Sequence, residues 1–202
     1  MTIIGSVALV VFVVVFLVDG WTRPGCHPVR QPVSALALGR RGRVQATNFV
    51  VCGSAVTIGA VGVADAFGSV LLAVAIGVFG LSLVVSGLFP MDAMRGYPPG
   101  TPDETPTEYS RRHTIHDQAG AVVFTSLPAA AIIAVFTVPG AGWAWFSGLT
   151  AAALTAGFVV FGQSWENDSR YAGLIQRAVI TVGWAWLALL FVHAAHSPVP
   201  AT

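Results

Sequence analysis

Six stretches of this 202-residue chain are apolar for long enough to cross a bilayer, and nothing else in it limits the fold so strongly. A spanning helix needs about 20 predominantly apolar residues, within a range of about 17–25. The qualifying runs are 2–18, 48–66, 69–89, 118–138, 143–162 and 174–195, with Asp65 as the one acid inside them. Hydrocarbon supplies no partner for backbone polar groups, so each run is expected to close its own hydrogen bonds as a helix. Charged residues make up 9% of the chain, whereas a soluble domain carries about 25%. So few charges cannot cover a water-facing surface. The expected fold is all-α: a single domain over 1–202, built as a polytopic bundle of six transmembrane helices in contact with the lipid bilayer.

The connections between these runs alternate in length. Segments 19–47, 90–117 and 163–173 are long and polar, while 67–68 and 139–142 are tight turns marked by Gly68 and by Pro139-Gly140. Six antiparallel spans put all three long loops at one membrane face, and both turns and both termini at the other. All ten basic residues are Arg, and all ten fall at the long-loop face, from Arg23 to Arg177 at the foot of the last helix. The positive-inside rule then predicts a multi-pass protein of the cell (inner) membrane, with its long loops cytoplasmic and both termini outside. Glycines recur within the spans, among them Gly53, Gly59, Gly77, Gly80 and Gly87, and favour close helix contact.

Several classes fall away at this point. A net charge of +1 without a basic stripe gives no nucleic-acid footprint. Cys26 and Cys52 form no CxxC or disulfide framework. The first apolar run lacks a basic leader and a small-x-small cleavage site, so it is expected to remain as the first helix.

The polar residues concentrate in 89–120, which holds five acids, three arginines and two of the five histidines. Its middle, YPPGTPDETPT at 97–107, is expected to be extended and mobile. His113, His116 and Asp117 follow at i, i+3 and i+4. If the fourth helix starts a turn early they share a face, where they are either a weak divalent-metal motif or an interfacial cluster supporting a helix start. Asp92 sits at the membrane edge beside Pro90, and Arg177 lies three residues into the sixth helix. A charge at that depth normally faces the bundle interior or is paired. An Asp92–Arg177 or Asp117–Arg177 ion pair would staple helix ends. The functional alternative has Arg177 and Gln176 holding an anionic group while Asp92 or His116 moves a proton. His193 and His196 belong to the opposite face, about 30 Å away across the hydrocarbon. Trp184 and Trp186 lie deep enough either to line an apolar pocket or to pack. Ser34 lacks the GxSxG setting of a nucleophile and is read as a helix cap.

Four stretches together, HPVRQPVSALALG at 27–39, GLFPMD at 87–92, HDQAG at 116–120 and GLIQRAVITVGWAW at 173–186, resemble a bacterial membrane family catalogued as domain of unknown function 998. The resemblance implies a six-helix membrane fold. It matches Ser34, Asp92, His116, Gly173, Gln176 and Arg177 to the family's recurrent polar and glycine positions, and it implies no activity. The Pro- and acid-rich insert at 97–108 and the HAAH at 193–196 are not features of the family.

Three functional classes remain. The first is a small membrane-embedded enzyme or binding protein for an amphipathic lipid or isoprenoid. Its catalytic candidates are Asp92, His116 and Asp117, and its substrate-binding candidates are Ser34, Gln176 and Arg177, with no metal or cofactor specified. The second is a noncatalytic partner or scaffold, in which the same residues only staple helices. The third, a transporter, is disfavoured because no span has an ionisable residue near its centre and no inverted repeat is evident.

Overall fold

In the computed structural model, which describes residues 1–197, the chain forms six long helices and one short 3-10 turn. They are α1 (Thr2–Thr22), α2 (Gly42–Phe67), α3 (Val70–Leu88), α4 (Arg111–Thr137), α5 (Ala141–Glu166) and α6 (Ala172–His196), with the 3-10 turn at Val33–Ala37. All six are long and apolar enough to cross a membrane, and no strand is present among the described residues. The protein is a multi-pass membrane bundle.

Each helix packs against its neighbours in sequence, and α1 closes the ring against α6. The tightest seam is α2 on α3. A Cβ on Gly80 would stand 2.7 Å from the Gly53 carbonyl oxygen and 2.5 Å from Thr57 Oγ1, so the two backbones touch there. Lipid tails are as apolar as the side chains, and helices associate in them through this kind of close packing. The interior is aromatic. Trp184 lies between Phe12 (centroids 5.4 Å apart, stacked) and Phe79 (4.9 Å, edge-on), and the buried Trp186 donates its indole N–H to Ser147 Oγ at 3.2 Å.

Several helices extend beyond their apolar runs into the polar loops. Helix α2 begins at Gly42 rather than 48, and α4 at Arg111 rather than 118. A helix of 27 residues is about 40 Å long and outruns a hydrocarbon core of about 30 Å, so its first turns lie among headgroups where polar residues are tolerated. The start of α4 is fixed by Ser110, whose Oγ accepts the His113 amide at 3.2 Å. The third loop shrinks accordingly, to 167–171.

The central loop is not extended. Arg95 N–H bonds to the Glu104 carbonyl (3.0 Å) and Gly96 N–H to that of Pro102 (3.0 Å), which folds 96–103 back on itself. Tyr97 anchors the fold, 2% exposed beneath the loop. The prolines that argue against a helix here do not prevent a compact turn.

Helix α5 is the exception to the close packing. Its buried residues, Ser147, Thr150, Ala151 and Leu154, lie between 147 and 154. Between 155 and 166 no side chain is fully buried. The loop-side half of α5 is therefore loosely packed, though it still touches α6 where a Cβ on Gly157 would stand 2.6 Å from Val179.

Candidate functional site

Beside the loosely packed half of α5, a cavity of about 270 Å³ lies among α4, α5 and α6, roofed by the first and central loops. Its walls are aromatic and aliphatic, with Phe12, Phe49, Phe124, Phe158, Phe161, Trp165 and Trp184 among them. Its polar groups gather at the loop end and come from four elements. They are Ser34 in the 3-10 turn, Ser86 on α3, His113, His116 and Asp117 on α4, and Gln176 on α6.

Farther from the loops, Phe124 of α4 stacks on Phe158 of α5 at 5.3 Å and meets Phe161 at 5.6 Å. One turn nearer the loops, Gly120 and Ala121 on α4 and Gly162 on α5 line the cavity instead. A Cβ added to Gly120 or Gly162 would meet nothing within 4 Å. Asp117 and Ala121 also line the cavity while remaining exposed. The cavity thus opens sideways between α4 and α5.

Hydrogen bonds assign the histidine tautomers. His116 Nδ1 lies 2.8 Å from the Phe89 carbonyl oxygen and 3.2 Å from that of Ser86. Both partners are acceptors, so Nδ1 carries the proton, and Nε2, on a residue of the cavity wall, is left as a lone pair with no partner among the described residues. His113 is the reverse. Its Nδ1 accepts the Asp92 amide at 2.9 Å, so Nε2 carries the proton and meets Asp117 Oδ2 at 3.0 Å. Asp117 therefore orients His113, while His116 is held by carbonyls at the end of α3. Gln176 Oε1 accepts the Val33 amide at 2.6 Å, which leaves its side-chain NH₂ as a donor. Among the described residues the Trp184 indole N–H has no hydrogen-bond partner. Ser34 lines the cavity within the 3-10 turn and does not cap it; Pro32 occupies the cap position.

Asp92 and Arg177, expected in the same site, are not among the lining residues. The Asp92 carboxylate accepts the Ser110 amide (2.7 Å) and hydroxyl (2.6 Å), closing the start of α4. Partial burial pushes its carboxyl upward, but the two Ser110 bonds outweigh this and hold it below the usual carboxylate range. Arg177 is 2% exposed, and its Nη1 donates to the carbonyls of Pro28 (2.5 Å), Gln31 (2.7 Å) and Gly173 (3.1 Å). The first loop crosses α6 so closely that a Cβ on Gly173 would stand 2.6 Å from the Pro28 carbonyl oxygen. Neither expected aspartate–arginine pair forms: among the described residues Arg177 has no carboxylate within ion-pair distance. Backbone carbonyls take the place of the expected acid. Among the described residues no group of three His, Cys, Asp or Glu side chains is arranged to hold a metal ion.

Two features escaped the sequence reading. The first is a buried hub on α1. Arg23 pairs with Asp19 and donates to the carbonyls of Leu36 (2.7 Å), Leu38 (3.0 Å) and Arg41 (3.0 Å) and to the Tyr97 hydroxyl (3.1 Å). Arg41 reaches the same aspartate at 2.7 Å. An acid four residues before a base at the end of an apolar run was the available signal. Cys26 sits beside this hub, and burial holds its thiol above the usual range despite the opposing pull of Arg177 and Arg23. The second is a latch at the end of α5. Arg95 stacks on Trp165 (3.9 Å), donates to the Trp165 carbonyl (2.7 Å) and faces Asp168 at 3.5 Å. Arg30 joins Asp168 to Asp103 of the central loop. Arg95 and Asp168 both adopt positive φ, 51° and 47°, which non-glycine residues rarely do.

A family model described as "Protein of unknown function (DUF998)" matches residues 6–193. The chain belongs to that family. The DUF998 match spans all six helices, and with them the cavity, the hub and the latch. No curated protein and no solved structure matches the chain.

Proposed function

We propose that the protein takes a lipid- or isoprenoid-like amphipathic molecule from the bilayer into the cavity among α4, α5 and α6, as a small membrane-embedded enzyme or binding protein. The observation that carries this reading is an apolar cavity with one hydrogen-bonding end, opening sideways between α4 and the loosely packed half of α5. A ligand from the bilayer would slide in tail and all, without passing through water. His116 presents a basic nitrogen to the head group, and Ser34 and Gln176 bind it. Asp117 acts on His113 at the rim. Asp92 and Arg177 hold the protein's shape around the site. We further assign the three long connections to the cytoplasmic side of the cell membrane, with the N-terminus outside, because all ten arginines accompany those connections.

The test is extraction of the lipids that co-purify with the protein from detergent, analysed by mass spectrometry beside the same extraction from Gly120→Phe, which fills the opening. The reading expects one amphiphile class enriched over the total membrane extract in the wild type and depleted in the variant. Identical lipid profiles would sink it.

A noncatalytic scaffold is the second reading. It draws support from Asp92 and Arg177, whose polar contacts go to backbone and to a capping serine. A scaffold would show no change in bound lipid with Gly120→Phe.

A further inference from the structure

The cavity offers a head group hydrogen bonds and no positive charge. No arginine lines it, and the sequence contains no lysine. Arg177, which follows the lining residue Gln176, is turned toward α1 and the first loop, its Nη2 standing 3.2 Å from where a Cβ on Gly20 would be, and Arg111 and Arg112, which precede the lining residue His113, are exposed. The two histidines of the lining do not substitute for a cation. His113 is neutral because its Nδ1 accepts an amide proton, and the burial of His116, 7% exposed, disfavours a charge on its ring. The one formal charge in the lining is negative, Asp117 at the opening. A phosphate or carboxylate head would enter past that carboxylate and find no counter-ion, and a desolvated anion without one is strongly disfavoured.

What the site does present is complementary to a hydroxyl group. His116 Nε2 is an acceptor without a partner. The Gln176 side-chain NH₂ is a donor without a protein partner, since its oxygen is taken by Val33. Ser34 adds a hydroxyl that can act either way. A hydroxyl uses both kinds of group at once, its proton going to Nε2 and its oxygen accepting from the amide. An ammonium head satisfies Nε2 but meets the Gln176 donor with another donor.

Resting on the proposed function above, we infer that the cavity selects amphiphiles whose head is an uncharged hydroxyl, a long-chain or isoprenoid alcohol, over those with a phosphate or ammonium head. The same side chains that fail to neutralise an anion bind an alcohol through two hydrogen bonds.

The experiment compares four probes with one tail and different heads: farnesol, farnesyl phosphate, farnesylamine and the headless hydrocarbon farnesene. Each is added in equal amount to the purified protein, and retained adducts are read by native mass spectrometry. The inference expects farnesol to be retained at least about tenfold over each of the other three, the order of two hydrogen bonds. His116→Asn keeps a donor for the Phe89 carbonyl but, with its shorter side chain, leaves no acceptor at the Nε2 position. It should lower farnesol retention about three- to tenfold and leave farnesene unchanged, with thermal unfolding confirming that the variant folds. The wild-type comparison stands alone if it does not. Equal or better retention of a charged probe that Gly120→Phe abolishes would overturn the hydroxyl assignment and leave the cavity reading intact. Adducts that Gly120→Phe does not reduce, or no farnesol adduct at all, would overturn both.

Discussion

Arg177→Gln separates a structural arginine from a ligand-binding one. In the structure its guanidinium ties the first loop to α6 through the Pro28 and Gln31 carbonyls, while the bond to Gly173 lies within its own helix. Hydrogen bonds from a charged donor contribute about 1.5–3 kcal/mol each, so the two loop bonds are worth roughly 3–6 kcal/mol. Against this stands the cost of burying a cation with no carboxylate beside it, several kcal/mol, which the substitution relieves. Glutamine can restore one of the two bonds. The net expectation is a loss of about 1–3 kcal/mol, or roughly 3–10 °C in the unfolding midpoint for a chain of this size. Thermal unfolding in a mild detergent, followed by helical circular dichroism, measures it, and the lipid extraction gives the second readout. The folded fraction of the variant should carry the wild-type complement of amphiphile. A variant as stable as wild type that has lost its bound amphiphile would refute the reasoning, because it would put Arg177 in contact with the ligand.

Asp92 supplies a pH dependence. Its folded carboxyl lies below the ordinary value near 4, so its contribution is present above that value and is lost as pH falls through the folded one. Asp92→Asn should lower stability modestly at neutral pH, by less than about 1 kcal/mol at this half-buried position, and the difference should vanish in acid titrations of the two proteins. Gly80→Leu should disrupt the α2–α3 seam and sharply reduce the folded yield in size-exclusion chromatography, because the new side chain meets the Gly53 backbone. Arg30→Ala removes only exposed ion pairs at the latch and should change the midpoint by no more than about 1 kcal/mol, the change shrinking further in high salt.

The architecture was legible because a membrane imposes it. Hydropathy counts residues, and six runs of the right length fix the number of helices and the end at which the long loops lie. The same method stops where apolar residues stop, so it missed the first turns of α2 and α4, which are held by capping and headgroup solvation. The site was half legible. Ser34, His116, Asp117 and Gln176 line one cavity, whereas Asp92 and Arg177 came into the prediction as charges in need of partners. Sequence pairs a charge with the opposite charge. The fold paired Arg177 with carbonyls and Asp92 with a serine, and backbone acceptors leave no mark in a sequence. The Asp19–Arg23 hub was missed for a related reason: both residues were counted as loop, yet α1 runs through Asp19 and ends beside Arg23.

The loose packing of the loop-side half of α5 is what a sequence reading had least chance of finding, and physics makes it inexpensive. In water a half-helix set apart from its neighbours by a cavity, with Val159 and Val160 facing outward, would expose apolar area at a cost. In lipid those side chains lose nothing by facing hydrocarbon, so the helix can pack loosely without penalty and leave space beside it. Polar groups in that space have no such freedom, and they are accordingly committed on one side: His116 Nδ1 to carbonyls and Gln176 Oε1 to Val33. The cavity is then a gap that close packing would fill if stability alone decided the sequence. Gly162→Leu tests this directly. Nothing lies within 4 Å of a Cβ at that position, and glycine in a helix interior is less favourable than leucine by about 0.5–1 kcal/mol. The variant should therefore unfold at a higher temperature than wild type while retaining less amphiphile, the trade expected where a protein keeps an unfilled site for function. A drop in stability would mean that the loop-side half of α5 packs against the bundle in the membrane, and the sideways opening would have to be abandoned.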